Sequence, residues 1–284
     1  MCRMIAVMSK NETGFKYFIE EREKGGAFHS LKIQSKKAYD GCRDGGHKDG
    51  FGVYSLSLDP ANPGNPLRES LFKKGTPVTE TPALSQRLEY LKGNLMISHI
   101  RLASAGKGEI DDIHAHPYAD RRFISTKGIK DETDWENDIT PFSGFVMAHN
   151  GTIYDMGDES MTDSQAFLNL ISERFNNGID FTEFKKFISL IAERHSFTAL
   201  NILLKDPNND LYALRLAKSK KKGEDPDNQP RLAYYSMYYM KDENLGRVIV
   251  ASEPVDSDRR WKCVDNYTLL KINKDLNIEI AEIL

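Results

Sequence analysis

The sequence predicts a layered α+β protein, with largely antiparallel sheets and helices packed outside them. Three observations carry this. Strand-type segments stand at both ends of the chain and bracket two consecutive helical segments. No internal repeat of fixed period interrupts that order. The 284 residues suffice for one substantial core without metal or disulfide staples, which favours one domain over two.

Taken in order, "CRMIAVMS" (2–9) is rich in apolar and β-forming side chains and reads as a strand that begins at its cysteine. "TGFKYFIEEREKGG" reads as a helix closed by glycines. "DGFGVYSLSLD" reads as a strand, entered through Gly50 and Gly52 and left at Pro60. A further strand is expected near "SLFKKG", then a short amphipathic helix in "LSQRLEYLKG" with a glycine stop. "NLMISHIRLAS" reads as a buried strand ending in polar residues, and "GFVMAHNGTIYD" as strand, Asn-Gly turn and strand. Two helices follow, "TDSQAFLNLISERFNNG" and "DFTEFKKFISLIAERHS", the first with Thr162 or Asp163 available as a cap. "FTALNILLKD" and "LYALRLA" return to strand pattern, as do "RLAYYSMYYM", "RVIVAS", "YTLLKIN" and "IEIAEI" nearer the end. "SKKKGEDPDNQP" reads as a solvated loop, and the polar stretch from about 118 to 143 as an insertion.

Lys and Arg number 39 against 42 Asp and Glu, a net charge of -3, so nothing favours nucleic acid or a membrane surface as partner. Cys2, Cys42 and Cys263 are odd in number, far apart and without CxxC spacing. That argues against a disulfide framework or a thiolate metal site and fits a reducing compartment. No stretch approaches a membrane span, and "MIAVM" has no cleavage pattern behind it, so a cytosolic protein is expected.

Four polar clusters stand at expected strand ends: "HIRLASAG", "HAHPY", "AHNGT" and "TDSQ". Removal of Met1 would give Cys2 a thiol and a free α-amine on one carbon. The two groups titrate close together, at about 8.5 and about 7.7–8.0, so the amine can take the thiol proton near neutrality. Attack by that thiol on an acyl carbon creates an oxyanion that needs fixed donors. Asn150 and Gly151 can supply them, although Asn-Gly alone also makes a good hairpin turn. Arg101 can grip a carboxylate with its planar fork or sit in a buried ion pair. Asp163 can pair with an ammonium or cap a helix. His99, His114, His116 and His149 include an H-x-H, but no third ligand stands at a recognisable metal spacing, and structural histidines are expected there.

The ordered series "MCR", "HKDGFG", "HIRLAS", "HAHPY", "AHNGT" and "TDSQ" strongly resembles the class II glutamine amidotransferases, N-terminal-cysteine members of the Ntn-hydrolase superfamily. The later "VIVASEPVDSDRRWKCV" resembles the closing segment of the stand-alone branch, which includes YafJ-like proteins and the γ-glutamyl hydrolase of ergothioneine synthesis. The resemblance implies a four-layer αββα fold over 2–284 and no cofactor. It further implies that Cys2 attacks the side-chain amide of glutamine, forms a γ-glutamyl thioester and releases ammonia. By motif match, Asn150 and Gly151 form the oxyanion hole, Arg101 binds the α-carboxylate with help from Ser104, and Asp163 binds the α-amine. Asp49, Gly50 and Gly52 shape the pocket. Gln165 stands where relatives often have Glu. The chain carries no second synthase domain after these motifs, so ammonia would pass to a separate synthase subunit. The alternatives are a self-sufficient hydrolase of a γ-glutamyl amide or peptide, a metal-binding protein, or an inactive glutamine-binding protein.

Overall fold

The computed structural model describes residues 2–21, 25–36, 46–102, 110–120, 144–218 and 235–283. Its strands form two antiparallel sheets. The first joins β1 (Arg3–Gly14), β2 (Phe51–Asp59), β3 (Asn62–Lys74), β4 (Lys92–Ile100), β9 (Tyr238–Asp242), β10 (Arg247–Ala251) and β11 (Lys262–Cys263), in the order β11-β9-β10-β1-β4-β2-β3. The second joins β5 (Tyr118–Ala119), β6 (Val146–Asn150), β7 (Asn201–Lys205), β8 (Leu211–Arg215), β12 (Thr268–Ile272) and β13 (Ile278–Glu282), in the order β13-β12-β8-β7-β6-β5.

The period-2 alternation of strand side chains assigns each residue to a layer. Met4, Ala6 and Met8 of β1, with Tyr54 and Leu56 of β2, face Val146 and Ala148 of β6 and Leu203 of β7 in one buried cluster between the sheets. Ile5, Val7 and Val53 point the other way, toward α1 (Lys16–Ile19), α2 (Leu31–Lys36) and α3 (Pro82–Tyr90). On the far side, Met147, Ile202 and Leu204 meet the apolar faces of α4 (Asp163–Arg174) and α5 (Phe181–Arg194), which carry Phe167, Ile171, Phe184 and Ile188. The result is the expected four-layer αββα sandwich. Each fully buried aliphatic side chain contributes on the order of 1.5–3 kcal/mol, so these three interlayer cores dominate the stability of the fold.

Several elements differ from expectation. The first helix is a single turn. It stops where the chain turns extended at Glu20, whose buried carboxylate pairs with Lys32 at 2.7 Å. β3 runs thirteen residues, well beyond "SLFKKG". Gly93 does not stop a helix: α3 ends at Tyr90, and Gly93 lies within β4, where a Cβ would stand 2.4 Å from the Leu56 carbonyl oxygen. The Asn-Gly hairpin is absent. β6 pairs with β5 and β7, and after Gly151 the chain makes only an isolated bridge between Ile153 and Phe197. The loop at 219–234, Cys42 and all but the first residues of the 118–143 insertion lie outside the described residues. Among the described residues, no helix is long and apolar enough to cross a membrane.

Candidate functional site

The strand registers bring the separated motifs to one end of the sandwich. β1 begins beside the end of β4, with Arg3 opposite Ile100, and β2 begins beside the same residue, with Phe51 opposite Ile100. Cys2, Arg101 and Asp49 therefore share one edge of the first sheet. Facing them on the second sheet is the end of β6, carrying Asn150 and Gly151, and beyond it the start of α4 with Asp163. A cleft of about 1140 Å³ opens along this seam, and Cys2, Asp49, Arg101, Gly151 and Asp163 all line it.

Cys2 is half-buried. Its backbone N–H donates to Asn150 Oδ1 at 3.2 Å, across the seam between the sheets. That bond fixes the amide orientation and turns Asn150 Nδ2 elsewhere, where it is a buried donor without a partner among the described residues. An orphan of this kind costs about 1–3 kcal/mol unless something else supplies an acceptor. The thiol lies against the Leu102 backbone, 3.5 Å from its N–H and 3.7 Å from its carbonyl oxygen. Burial pushes the Cys2 thiol up, opposed by nearby positive charge, including Arg101 and Arg3. Arg3 clamps the start of β1: its Nε reaches Glu253 at 2.9 Å and its Nη1 donates to the Cys2 carbonyl at 3.1 Å. The Met4 N–H donates to Ser252 Oγ at 3.0 Å.

Arg101 is buried, its N–H donating to the Gly50 carbonyl at 2.7 Å, and the Asp49 N–H donates back to the Arg101 carbonyl at 3.2 Å. Gly50 has φ +135°, and its missing Cβ leaves room for Ala115 and the Lys74 carbonyl. Gly52 permits a closer approach: a Cβ there would lie 2.1 Å from the His116 carbonyl oxygen. These two glycines position the "HAHPY" segment; neither lines the cleft. At Gly151 a Cβ would lie 1.9 Å from the Ala199 carbonyl oxygen. Ser104 lies outside the described residues.

Asp163 is the first residue of α4, one position inside the cap. Thr162 is the cap itself. Its Oγ1 accepts from the Gln165 N–H, and Gln165 Oε1 accepts from the Thr162 N–H at 3.1 Å. Gln165 thus completes a capping box with its amide oxygen and needs no charge for that task. Asp163 Oδ2 accepts from the Ile153 N–H at 2.8 Å and Oδ1 from the Ser164 N–H at 2.9 Å, which aims the carboxylate at the cleft wall.

The histidines form the packing beneath the site. His99 stacks on His116 at 4.4 Å, and His116 Nδ1 accepts from the His149 N–H at 3.1 Å. The His149 Nε2–H donates to the Ala199 carbonyl at 3.1 Å, leaving Nδ1 to accept from Ser164 Oγ at 2.8 Å. Burial holds His99 and His116 well below the usual histidine range, with the Arg101 charge acting in the same direction on both. Burial lowers His149 too, against the pull of Asp163. Sequence reasoning passed over three groups: the Leu102 backbone at the thiol, the Ser164–His149 bond behind Asp163, and the Arg3–Glu253 clamp. Ser164 and Arg3 sit inside the quoted "TDSQ" and "MCR" motifs, so their positions were visible while their partners were not. Among the described residues, no group of three or more His, Cys, Asp or Glu side chains could hold a metal ion.

Fold and site together describe an Ntn-hydrolase-like sandwich with a cysteine at the mouth of its inter-sheet seam. Among solved structures, the chain is similar to the glutamine aminotransferase class-II domain protein of Silicibacter pomeroyi, with a TM-score of 0.52 and 16% identity over 99% of each chain. It is also similar to a predicted glutamine amidotransferase of Pseudomonas aeruginosa, with a TM-score of 0.48 and 14% identity over 98% of each chain. At 16% identity the likeness to the Silicibacter pomeroyi protein is one of fold. Comparison of the sequence with protein-family models and with curated proteins gives no match.

Proposed function

We propose that this protein is a class II glutamine amidotransferase that hydrolyses the side-chain amide of glutamine through Cys2. The observation that carries the reading is the pairing of Cys2 N with Asn150 Oδ1, which leaves Asn150 Nδ2 as a buried donor with no partner among the described residues. With Met1 attached, the Cys2 nitrogen is an amide and has no lone pair to take a proton. Once Met1 is removed it becomes an amine, and takes the thiol proton within the same residue. The thiolate attacks the γ-carbonyl carbon, and Asn150 Nδ2 and the Gly151 N–H receive the oxyanion. Collapse of the intermediate breaks the C–N bond, and the leaving nitrogen takes its proton from the Cys2 ammonium. Water then hydrolyses the thioester to glutamate. Arg101 holds the α-carboxylate and Asp163 the α-ammonium, with ammonia passing to a separate acceptor enzyme.

A second reading, the self-sufficient hydrolysis of a larger γ-glutamyl amide, is favoured by the cleft volume of about 1140 Å³, which exceeds what one glutamine fills. Turnover of glutamine and of γ-glutamyl anilides by the isolated protein separates the two.

The test of both is intact mass before and after incubation with a diazoketone analogue of glutamine, followed by peptide mapping. Loss of Met1 and one adduct on Cys2 are expected. Retention of Met1, or adducts on Cys42 and Cys263 with Cys2 untouched, would sink the mechanism.

A further inference from the structure

We propose that His116 is a substrate-binding residue of the cleft, whose Nε2–H donates to the substrate carboxylate and so selects substrates in which that group is free. It rests on the reading of Arg101 as the α-carboxylate ligand given above, and adds to it a second, uncharged donor.

The register of β5 on β6 sets Tyr118 opposite Met147 and Ala119 opposite Val146. Continued toward the cleft, it brings His116 opposite His149, past Pro117, whose nitrogen has no hydrogen to give. A side chain completes the ladder there: His116 Nδ1 accepts from the His149 N–H at 3.1 Å. A backbone N–H can only donate, so Nδ1 keeps its lone pair and the hydrogen of the neutral ring stands on Nε2. Burial holds His116 well below the usual histidine range, and the neighbouring His99, His149, Arg101 and Lys73 act in the same direction. The ring is therefore neutral near pH 7.

Its position is fixed as well as its tautomer. His99 stacks on the ring with centroids 4.4 Å apart, and the Tyr118 ring lies tilted against it at 4.4 Å. Tyr118 is tied in turn, its hydroxyl donating to the His114 carbonyl at 3.0 Å. Nε2 makes no hydrogen bond among the described residues, and it is not sealed in, since the ring keeps 7% exposure and lines the cleft.

The neighbour of this donor says what it meets. A Cβ on Gly50 would lie 3.3 Å from Ala115 Cβ and 3.7 Å from Arg101 Cβ, so the segment carrying His116 packs beside Arg101. Among the described residues that line the cleft, Arg101 is the only lysine or arginine, while Asp49, Asp158, Glu159 and Asp163 are acidic. An anionic group is drawn to that corner. A carboxylate offers about four acceptor positions and a guanidinium fork fills two, which leaves room for a neutral N–H at the side.

The test uses the full chain carrying Cys2→Ala, which can bind without turnover, with isotope-labelled histidine followed by NMR and L-glutamine binding followed by calorimetry. The His116 signal is assigned by its proximity to the His149 N–H. Hydrogen on Nε2 is expected in the free chain, and saturating glutamine should shift that signal, whereas γ-aminobutyramide, which lacks only the carboxylate, should leave it in place. In His116→Asn the amide oxygen can still take the His149 N–H, but nothing stands at the Nε2 position. Glutamine is expected to bind about tenfold more weakly or worse. Should that variant fail to fold, the NMR result on the unsubstituted histidine decides alone. Hydrogen on Nδ1, a glutamine complex in which the Nε2–H signal does not move, a shift with γ-aminobutyramide, or full affinity in folded His116→Asn would each overturn the proposal and leave the glutamine site standing. A Cys2→Ala chain that binds no glutamine would overturn the parent reading and this one with it.

Discussion

Asn150 is engaged on one side only, since Oδ1 holds the Cys2 nitrogen and Nδ2 is buried without a partner among the described residues. Replacing it therefore separates placement from catalysis. Asn150→Asp keeps the acceptor and removes the donor, and is expected to lower kcat by about 10²–10³-fold while alkylation of Cys2 persists. Steady-state kinetics beside peptide mapping checks both halves. The thiol offers a second prediction. Because burial raises it, less Cys2 is thiolate at neutrality than an exposed cysteine would be. In the chain that retains Met1, iodoacetamide should modify Cys2 more slowly than the exposed Cys263 at pH 7, and the ratio of Cys2 to Cys263 modification should rise by pH 9. At this scale the residues that line the cleft were legible in the sequence, because Cys2, Gly151, Arg101 and Asp163 all stand in its polar motifs. The partners of Cys2 were not, since a contact between residues 2 and 150 leaves no local mark.

The start of α4 shows how an element holds a site residue. Its capping box fixes the first turn and, with it, Asp163. Thr162→Ala should cost about 1 kcal/mol in chemical denaturation and raise KM for glutamine more than it lowers kcat. Gln165→Glu preserves the box and places a negative charge at the helix N-terminus, so it is expected to stabilise by about 0.3–1 kcal/mol without loss of turnover. The two long helices were legible because cap residues and apolar period agree. Gly93 and the residues after Gly151 were misread for one physical reason: local patterns that end a helix or turn a hairpin also occur where two backbones pack closely. At Gly93 the neighbour is the Leu56 carbonyl and at Gly151 the Ala199 carbonyl, and both belong to distant segments.

Across the whole molecule, the buried histidines tie stability to pH. Neutral in the fold and held below their ordinary range, His99, His116 and His149 bind protons mainly when the chain unfolds. The stability they permit is complete above about pH 6.5 and falls as the pH drops below it, by up to about 1.4 kcal/mol per pH unit for each. Asp206 acts in the opposite sense. Burial raises it to about 6, so between that value and its unfolded range near 3.8 the fold gains a proton and some stability as the pH falls. Burial raises Asp210 as well, and three histidines outweigh these two carboxyls, so urea midpoints should fall steadily from pH 7 to pH 5. The layered architecture was legible because strand-type segments bracket two consecutive helical ones; the closeness of the sheets at one end was not, because it depends on register. That closeness has a further meaning. The thiol stands on one sheet and the amide that meets its nitrogen on the other, so this contact is itself a gauge of docking between two independently hydrogen-bonded surfaces. A chain whose sheets have formed but not yet joined carries an ordinary cysteine, and the rate of adduct formation by a glutamine analogue during refolding would time the moment the halves meet.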